Sequence, residues 1–262
     1  MTKVSLIMTT YNCRDHFAKS IESAVLQDWE DMELVIVDGG STDGTLELIQ
    51  KYAEIYPDTG KKGKYIHWIS EPDNGIYDGM NKGIQMATGD VIAVFNDLFC
   101  GHDAVTKLMQ AMNEEKGCMG VHADLVYMEG TVCKRYWHMG QGNIHTGWMP
   151  AHPTLYLRKE IYETFGLYDI KYRSSADYEY MIRILKHKEV KLAYVPEVLI
   201  SMFYGGTSNN GITGYPRNIY EAYLALVHNH VAFPITAILL RVLKTFRQYY
   251  NAAQYNQINR SF

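Results

Sequence analysis

The sequence predicts an α/β domain with a mostly parallel sheet flanked by helices, followed by a helical C-terminal extension. Short β-rich runs alternate with helical patterns through the first hundred residues. Val91–Phe95 is five apolar residues in succession, which suits a strand buried on both faces. Each strand also runs into a polar loop, and right-handed crossovers gather such loops along one sheet edge. Ligands of open α/β sheets bind beyond that edge.

In order, Val4–Met8 is a strand and Phe17, Ile21, Ala24 and Val25 mark a helix by their spacing. Leu34–Val37 is the next strand. It ends in the loop Asp38–Gly44, and Leu46, Ile49 and Tyr52 begin a second helix. Tyr65–Ile69 is a third strand, followed by the loop Ser70–Gly75 and a helix with Ile76, Met80, Ile84 and Ala87 on one face. The strand Val91–Phe95 then delivers Asn96 and Asp97. Beyond it, Ala104–Met112 reads as a helix and Val121–Tyr127 and Thr131–Trp137 as strands joined by a turn. Gly140–Pro150 has no periodicity and reads as a functional or mobile loop. Leu155–Leu157 and Ile161–Phe165 resume regular structure. Tyr178–Leu185 is a helix, and Lys191–Val195 and Val198–Phe203 are two strands. Residues 215–251 are helical in pattern, set off by the breakers Gly205-Gly206 and Asn209-Asn210-Gly211.

The composition, 47% hydrophobic and 21% charged, is that of a folded globular chain. The net charge of −4 is unevenly spread: residues 215–262 hold five Lys and Arg against Glu221 alone, so the tail is basic and the body acidic. An acidic body argues against nucleic acid as a partner and gives the tail a partner of its own. Four widely spaced cysteines signal neither a zinc site nor a disulfide framework, and the start of the chain lacks a signal-peptide pattern. A cytoplasmic protein is expected. The longest apolar run, Val231–Leu240, is interrupted by Pro234 and is too short to span a bilayer.

The loop Asp38-Gly39-Gly40-Ser41-Thr42-Asp43-Gly44 sets two carboxylates among glycines at a strand end. Glycine admits a ligand close to the backbone, and a carboxylate accepts from a base imide or from ribose hydroxyls. Asp43 equally suits a turn that caps the following helix. Gly-x-Gly-x-x-Gly is absent and no P-loop is present, which disfavours an NAD enzyme or an NTPase.

Val4–Asn12, Val35–Gly44, Glu71-Pro-Asp-Asn-Gly-Ile-Tyr-Asp-Gly-Met-Asn81-Lys-Gly83 and Ala87-Thr-Gly-Asp90, taken in this order, resemble the family 2 inverting glycosyltransferases of the GT-A fold. The resemblance spans roughly 210 residues, and several ordered motifs are far more specific than one. It implies a nucleotide-sugar donor, by analogy a UDP-sugar, and a glycan or polyprenyl-linked glycan acceptor in polysaccharide assembly. By the family pattern Thr9 and Tyr11 line the nucleotide pocket and Asp38 binds uracil. Asp73, Asn74 and Lys82 lie near ribose, diphosphate or donor sugar, and Gly40, Asp43 and Asn96 complete the donor set. Asn74-Gly75 is also a good turn, and Lys82 a plausible solvated helix residue. On this basis residues 1–100 form a nucleotide-binding half, 101–214 an acceptor half, and 215–262 the extension.

In Ser174-Ser175-Ala176-Asp177-Tyr178-Glu179, Asp177 falls in the first turn of a helix with Ser174 or Ser175 as N-cap, where the dipole favours its anion. A carboxylate so held can take the proton of an attacking hydroxyl, and the resemblance assigns that base role to Asp177. A first-turn dipole partner is the structural alternative. Glu179 and Arg183, four apart, read as a structural pair. His152 falls where related enzymes carry an acceptor-side His, and Trp148 could stack on an acceptor sugar. Each could instead be structural, Trp148 as core.

The family typically shows Asn-Ser-Asp-Asp after the fourth strand, whereas this chain reads Asn96-Asp97-Leu98-Phe99. Leucine cannot ligate a cation, so Asp97 alone is the expected ligand for Mn²⁺ or Mg²⁺. In the tail, Arg241, Lys244 and Arg247 fall on one side of a helix and Val242, Leu243, Phe246, Tyr249 and Tyr250 on the other. Such a helix can lie in an anionic membrane surface through residues 231–251, at the inner face of the plasma membrane. Alternatively its apolar side packs on the body or on another subunit of a homo-oligomer. A non-catalytic nucleotide-sugar or glycan-binding module is the competing function, and a nucleotidyltransferase is disfavoured by the lack of a Gly-rich, Arg-containing loop after the first strand.

Overall fold

The computed structural model describes residues 2–205 and 211–259. Gly206, Asn209 and Asn210, among the expected breakers, and Arg260 lie outside the described residues. The elements run β1 (Val4–Thr10), α1 (Arg14–Val25), β2 (Met32–Asp38), α2 (Thr45–Ile55), β3 (Lys64–Ser70), α3 (Ile76–Met86) and β4 (Val91–Val94). There follow β5 (Leu98–Phe99), α4 (Ala104–Glu114), β6 (Cys118–Glu129), β7 (Val132–Trp137), β8 (Tyr156–Arg158) and α5 (Lys159–Phe165). The chain continues through α6 (Ala176–Leu185), β9 (Lys191–Phe203), α7 (Gly211–His228) and α8 (Pro234–Asn259).

Among the described residues one nine-stranded sheet has the order β3-β2-β1-β4-β8-β6-β9-β5, with β7 pairing β6. β3, β2, β1 and β4 are parallel, and their register sets Thr10 beside Asp38 and Asp38 beside Ser70. Antiparallel β8 then joins this half to β6 and β9, which are parallel to each other. The sheet is therefore mixed rather than mostly parallel.

Successive strand residues point to opposite faces, and both faces are covered. Leu6, Met8, Leu34 and Ile36 join Phe17, Ile21, Ile49 and Leu108 in one buried cluster. Ile7 and Val35 join Met80, Ile84, Tyr180, Ile182 and Leu226 in the other. Each fully buried aliphatic side chain contributes roughly 1.5–3 kcal/mol, so these two layers hold the strand ends in place.

Two sequence expectations need correction, the strand pair Lys191–Val195 and Val198–Phe203 and the boundary after residue 214, while the expected helical extension is resolved into its helices. Lys191–Val195 and Val198–Phe203 are one strand, β9, because the register against β6 slips near Asp124 and a bulge takes in Pro196 and Glu197. The helical tail is two helices, separated by a turn in which His230 and Phe233 take positive φ of 57° and 55°. The boundary drawn after residue 214 falls inside α7, whose Ala222, Ala225 and Leu226 are buried in the second cluster. The tail thus continues the body's core.

Candidate active site

The ends of β1, β2 and β3 bring the donor-side residues together. Asp38 is fully buried, and its carboxylate accepts from the Ser41 amide (3.0 Å), the Ser41 hydroxyl and the Ser70 hydroxyl (2.6 Å). Asp73 accepts from the Gly75 amide at 2.9 Å. A Cβ on residue 39 would lie 2.9 Å from Asp73 Oδ2 and 3.4 Å from the Tyr11 ring, so glycine lets Tyr11, Asp73 and the Asp38 loop converge. Tyr11 is 64% exposed, which leaves a ring face open beside that loop. Gly40 lies next to Pro72.

Other predicted donor residues are held by protein partners. Thr9 and Asn96 clasp each other, the Thr9 amide donating to Asn96 Oδ1 (2.8 Å) and Asn96 Nδ2 to Thr9 Oγ1 (2.9 Å). Asp43 accepts from the Arg14 amide and from the Thr45 amide, both 3.1 Å, and from the Thr45 hydroxyl. This is the capping alternative: one carboxylate tying the starts of α1 and α2. The Thr45 hydroxyl, ahead of the backbone donors, holds its carboxyl below the usual range. Lys82 pairs with Glu71 at 2.7 Å and donates to the Pro72 carbonyl at 3.1 Å, so it anchors the loop before α3. The Asn74 amide donates to Asp78, and the Asn74 carbonyl accepts from Arg173 Nη1 at 3.0 Å.

Asp177 lies in the first turn of α6, with Ser175 at the N-cap position. Neither serine hydroxyl caps the helix as expected: Ser175 Oγ donates to the Asn218 carbonyl and Ser174 Oγ to Glu221. Glu221, on α7, also accepts from the Arg173 amide (3.2 Å) and the Ser174 amide (2.8 Å), clamping the backbone that leads into Asp177. The Tyr77 hydroxyl, from the first turn of α3, donates to Asp177 Oδ1 at 2.8 Å. Burial and then the Asp177 charge raise the Tyr77 pKa well above its ordinary value, keeping it a donor. His152 Nε2 meets the Tyr168 hydroxyl at 2.7 Å, and the Tyr168 ring lies 5.9 Å from that of Tyr77. Burial lowers the His152 pKa, and the Asp177 charge opposes that shift. Glu179 and Arg183 form the expected pair at 2.8 Å.

Trp148 requires a correction. It is only 8% exposed, sits in the second core cluster, and donates from its indole to the Met139 carbonyl at 3.0 Å. It packs as core and presents no stacking face to a sugar. Elsewhere on the sheet the Arg135 guanidinium lies 4.8 Å over the Tyr127 ring, and burial raises the Tyr127 pKa.

Asp97 is buried and, among the described residues, its carboxylate has no hydrogen-bonding side chain or amide on it. Burial pushes its carboxyl up to about 7. No group of three or more His, Cys, Asp or Glu able to hold a metal occurs among the described residues. Leu98, where the family pattern has an aspartate, is spent on β5, whose backbone pairs with Ser201 of β9.

The family model described as Glycosyl transferase family 2 matches residues 5–183, more than half of the chain. The chain belongs to that family. A PGL/p-HBAD biosynthesis glycosyltransferase of Mycobacterium bovis (strain BCG / Pasteur 1173P2) is 31% identical over 220 residues, 78% of each chain. The uncharacterized glycosyltransferase YibD of Escherichia coli (strain K12) is 31% identical over 123 residues, 47% of this chain and 32% of that one. Two solved structures share the fold. S. aureus TarS 1–349 in complex with UDP-GlcNAc aligns with a TM-score of 0.69 and 14% identity, over 94% of this chain and 73% of that one. The mannosyltransferase PcManGT from Pyrobaculum calidifontis, in complex with GDP-Man and Mn²⁺, aligns with a TM-score of 0.62 and 15% identity, over 99% and 80%.

The protein is thus a glycosyltransferase of the GT-A fold, and a non-catalytic module is set aside. Within this glycosyltransferase, sequence reasoning left Tyr77 and Glu221 without roles. Tyr77 lay inside the quoted motif, and Glu221 was visible as the one acid of a basic tail. Their partners stand 100 and 47 residues away, a separation no local pattern reports.

Proposed function

We propose that the enzyme transfers a sugar, with inversion, from a UDP-sugar to a hydroxyl of a glycan or polyprenyl-linked glycan in polysaccharide assembly. The observation that carries this reading is the Tyr77–Asp177 hydrogen bond, which ties the donor-motif helix α3 to the carboxylate at the start of α6. Asp177 takes the proton of the acceptor hydroxyl as its oxygen bonds to the anomeric carbon. The bond from that carbon to the diphosphate breaks, and the nucleoside diphosphate leaves with the electron pair. One displacement inverts the configuration, and no bond to the enzyme forms. Tyr77 orients the Asp177 carboxylate through its hydrogen bond. His152, held by the Tyr168 hydroxyl, serves the acceptor side.

On the donor side, Asp38 retains lone-pair capacity beyond its three serine contacts, which suits a base imide, and the exposed Tyr11 ring suits stacking. Asp73, Asn74 and the backbone around Gly40 surround the ribose and diphosphate. Asn96, Thr9, Asp43 and Lys82 shape this pocket through their clasps.

Asp97 fits a divalent cation, Mn²⁺ or Mg²⁺, in one respect: a buried carboxylate with no protein partner among the described residues gains a counter-ion. Such an ion would rest on Asp97, donor phosphates and water, and would supply stabilisation of the charge on the departing diphosphate.

The test is a panel of UDP-sugars with Mn²⁺ and glycan acceptors, read by UDP release and by NMR of the product's anomeric proton. Turnover with inverted configuration is expected. Retained configuration, or turnover confined to GDP-sugars, overturns the reading.

A further inference from the structure

Of the two orientations that its amphipathic pattern allows, the tail helix turns its apolar side outward. Its polar and small side chains meet the body. Asn256 brackets Cys133 on the edge strand β7, accepting from its amide (2.9 Å) and donating to its carbonyl (2.7 Å). Gln248 accepts from Arg135 Nε, and Lys244 reaches the Thr146 hydroxyl at 3.4 Å. Arg241 lies 4.1 Å over the ring of Tyr178, the residue next to Asp177. Gly147 packs so closely that a Cβ there would stand 2.4 Å from the Ala237 carbonyl oxygen. These contacts pin α8 by one face to the edge strand, to the loop before Trp148 and to the base helix.

The other face is apolar and open. Phe233, Ile235, Leu239, Leu243, Phe246 and Tyr250 are each 60–79% exposed, and at 100° per residue those on the helix fall within one narrow stripe. Five large apolar side chains in one exposed stripe, with Phe233 at its start, exceed the scatter of single surface hydrophobics and mark a surface that something covers. Phe233, the most exposed, is held there by a left-handed backbone (φ 55°) that a non-glycine residue adopts only at a cost. The surrounding charge decides what covers it. No Asp or Glu occurs after Glu221, whereas Arg247 is exposed beside the stripe. A second copy docking stripe to stripe brings cation against cation. A lipid surface carrying negative headgroups satisfies both the apolar stripe and its basic rim, and aromatic residues such as Phe246, Tyr249 and Tyr250 suit the headgroup boundary.

We propose that the outward face of α8 docks on an anionic lipid bilayer through Phe233, Ile235, Leu239, Leu243, Phe246 and Tyr250, with Arg247 at its rim. The helix lies in the interface rather than across it, since none of the described helices is long and apolar enough to cross a membrane. Because Arg241 joins the docked helix to Tyr178, docking fixes the base helix relative to the bilayer surface. That last consequence matters to a lipid-linked acceptor and rests on the proposed function; the docking does not.

The experiment is sedimentation of the full chain with vesicles of phosphatidylglycerol and phosphatidylethanolamine, against pure phosphatidylcholine, without donor or acceptor. Binding to the anionic vesicles that weakens with added salt is expected. Leu243→Glu with Phe246→Glu is expected to lower the partition coefficient about ten-fold or more, while UDP release from the donor stays unchanged. These side chains are exposed, so the substitutions remove no core packing, and an unchanged melting temperature checks that. In the otherwise native chain, Phe246→Trp is expected to gain fluorescence quenching by brominated anionic lipids. Equal binding by the glutamate variant, no binding to anionic vesicles, or a dimer in lipid-free ultracentrifugation that the variant dissolves each overturns the proposal. Loss of turnover with intact vesicle binding overturns the transfer reading alone.

Discussion

The Tyr77 hydroxyl donates to Asp177 Oδ1 at 2.8 Å, joining the start of α3 to the start of α6. A hydrogen bond to a charged group is worth about 1.5–3 kcal/mol, or about 10- to 100-fold in a rate that depends on it. Tyr77→Phe should lower kcat by that factor and leave the donor KM within about two-fold. A native kcat from the Phe variant removes Tyr77 as a positioning residue.

Glu221 reaches from α7 to the Arg173 and Ser174 amides and so sets the backbone of the base. Glu221→Ala leaves the part-buried Ser174 amide and the Arg173 amide without their carboxylate partner, at a cost of about 1–2 kcal/mol. Urea unfolding should show that loss, and transfer by the still-folded variant should fall further than its donor affinity. Unchanged stability would mean that water takes the carboxylate's place without penalty.

Much of this arrangement was legible beforehand, for identifiable reasons. β1 to β4 are short β-rich runs with mostly apolar centres, and the motif loops follow their ends, so the loops of Asp38, Asp73 and Asp97 could be ordered along the sheet edge. The Glu179–Arg183 pair followed from helical spacing. Trp148 misled because an aromatic residue in an irregular loop carries no periodic sign of which way it faces; here the indole found a carbonyl, at Met139, inside the core. The tail's orientation stayed open for a different reason: periodicity separates an apolar from a basic side but does not say which side meets the body. Asn256, Gln248 and Arg241 have specific partners on β7 and α6, and those partners are distant in sequence.

Asp97 is expected to set function against stability. A buried acid whose folded pKa is raised, here from 3.8 to about 7, weakens folding as pH rises above its unfolded value. Asp97→Asn should therefore raise the melting temperature near neutral pH by about 2–4 °C, for roughly 1 kcal/mol, and abolish the extra stabilisation that Mn²⁺ adds to a bound UDP-sugar. A variant that keeps the Mn²⁺ response denies Asp97 the cation.

Glu33 governs acid stability. Burial disfavours its charge, but the Ser5 and Tyr65 hydroxyls and the Thr88 amide and hydroxyl outweigh burial and bring its carboxyl down to about 2 from 4.5. A depressed acid stabilises the fold above its unfolded pKa, and that stability is lost as pH falls through the folded value. The loss should come between pH 4.5 and about 2 and amount to about 3 kcal/mol. Denaturation midpoints across this range should flatten in Glu33→Gln.

The most direct test of the whole account is the transfer rate of Asp177→Asn at saturating UDP-sugar and acceptor. An amide of the same shape cannot take a proton, so the rate should fall by about 10²–10⁴-fold while donor binding, read by thermal shift, stays near native. Turnover at the native rate by this variant would contradict the assignment of Asp177 as the base and with it the proposed mechanism.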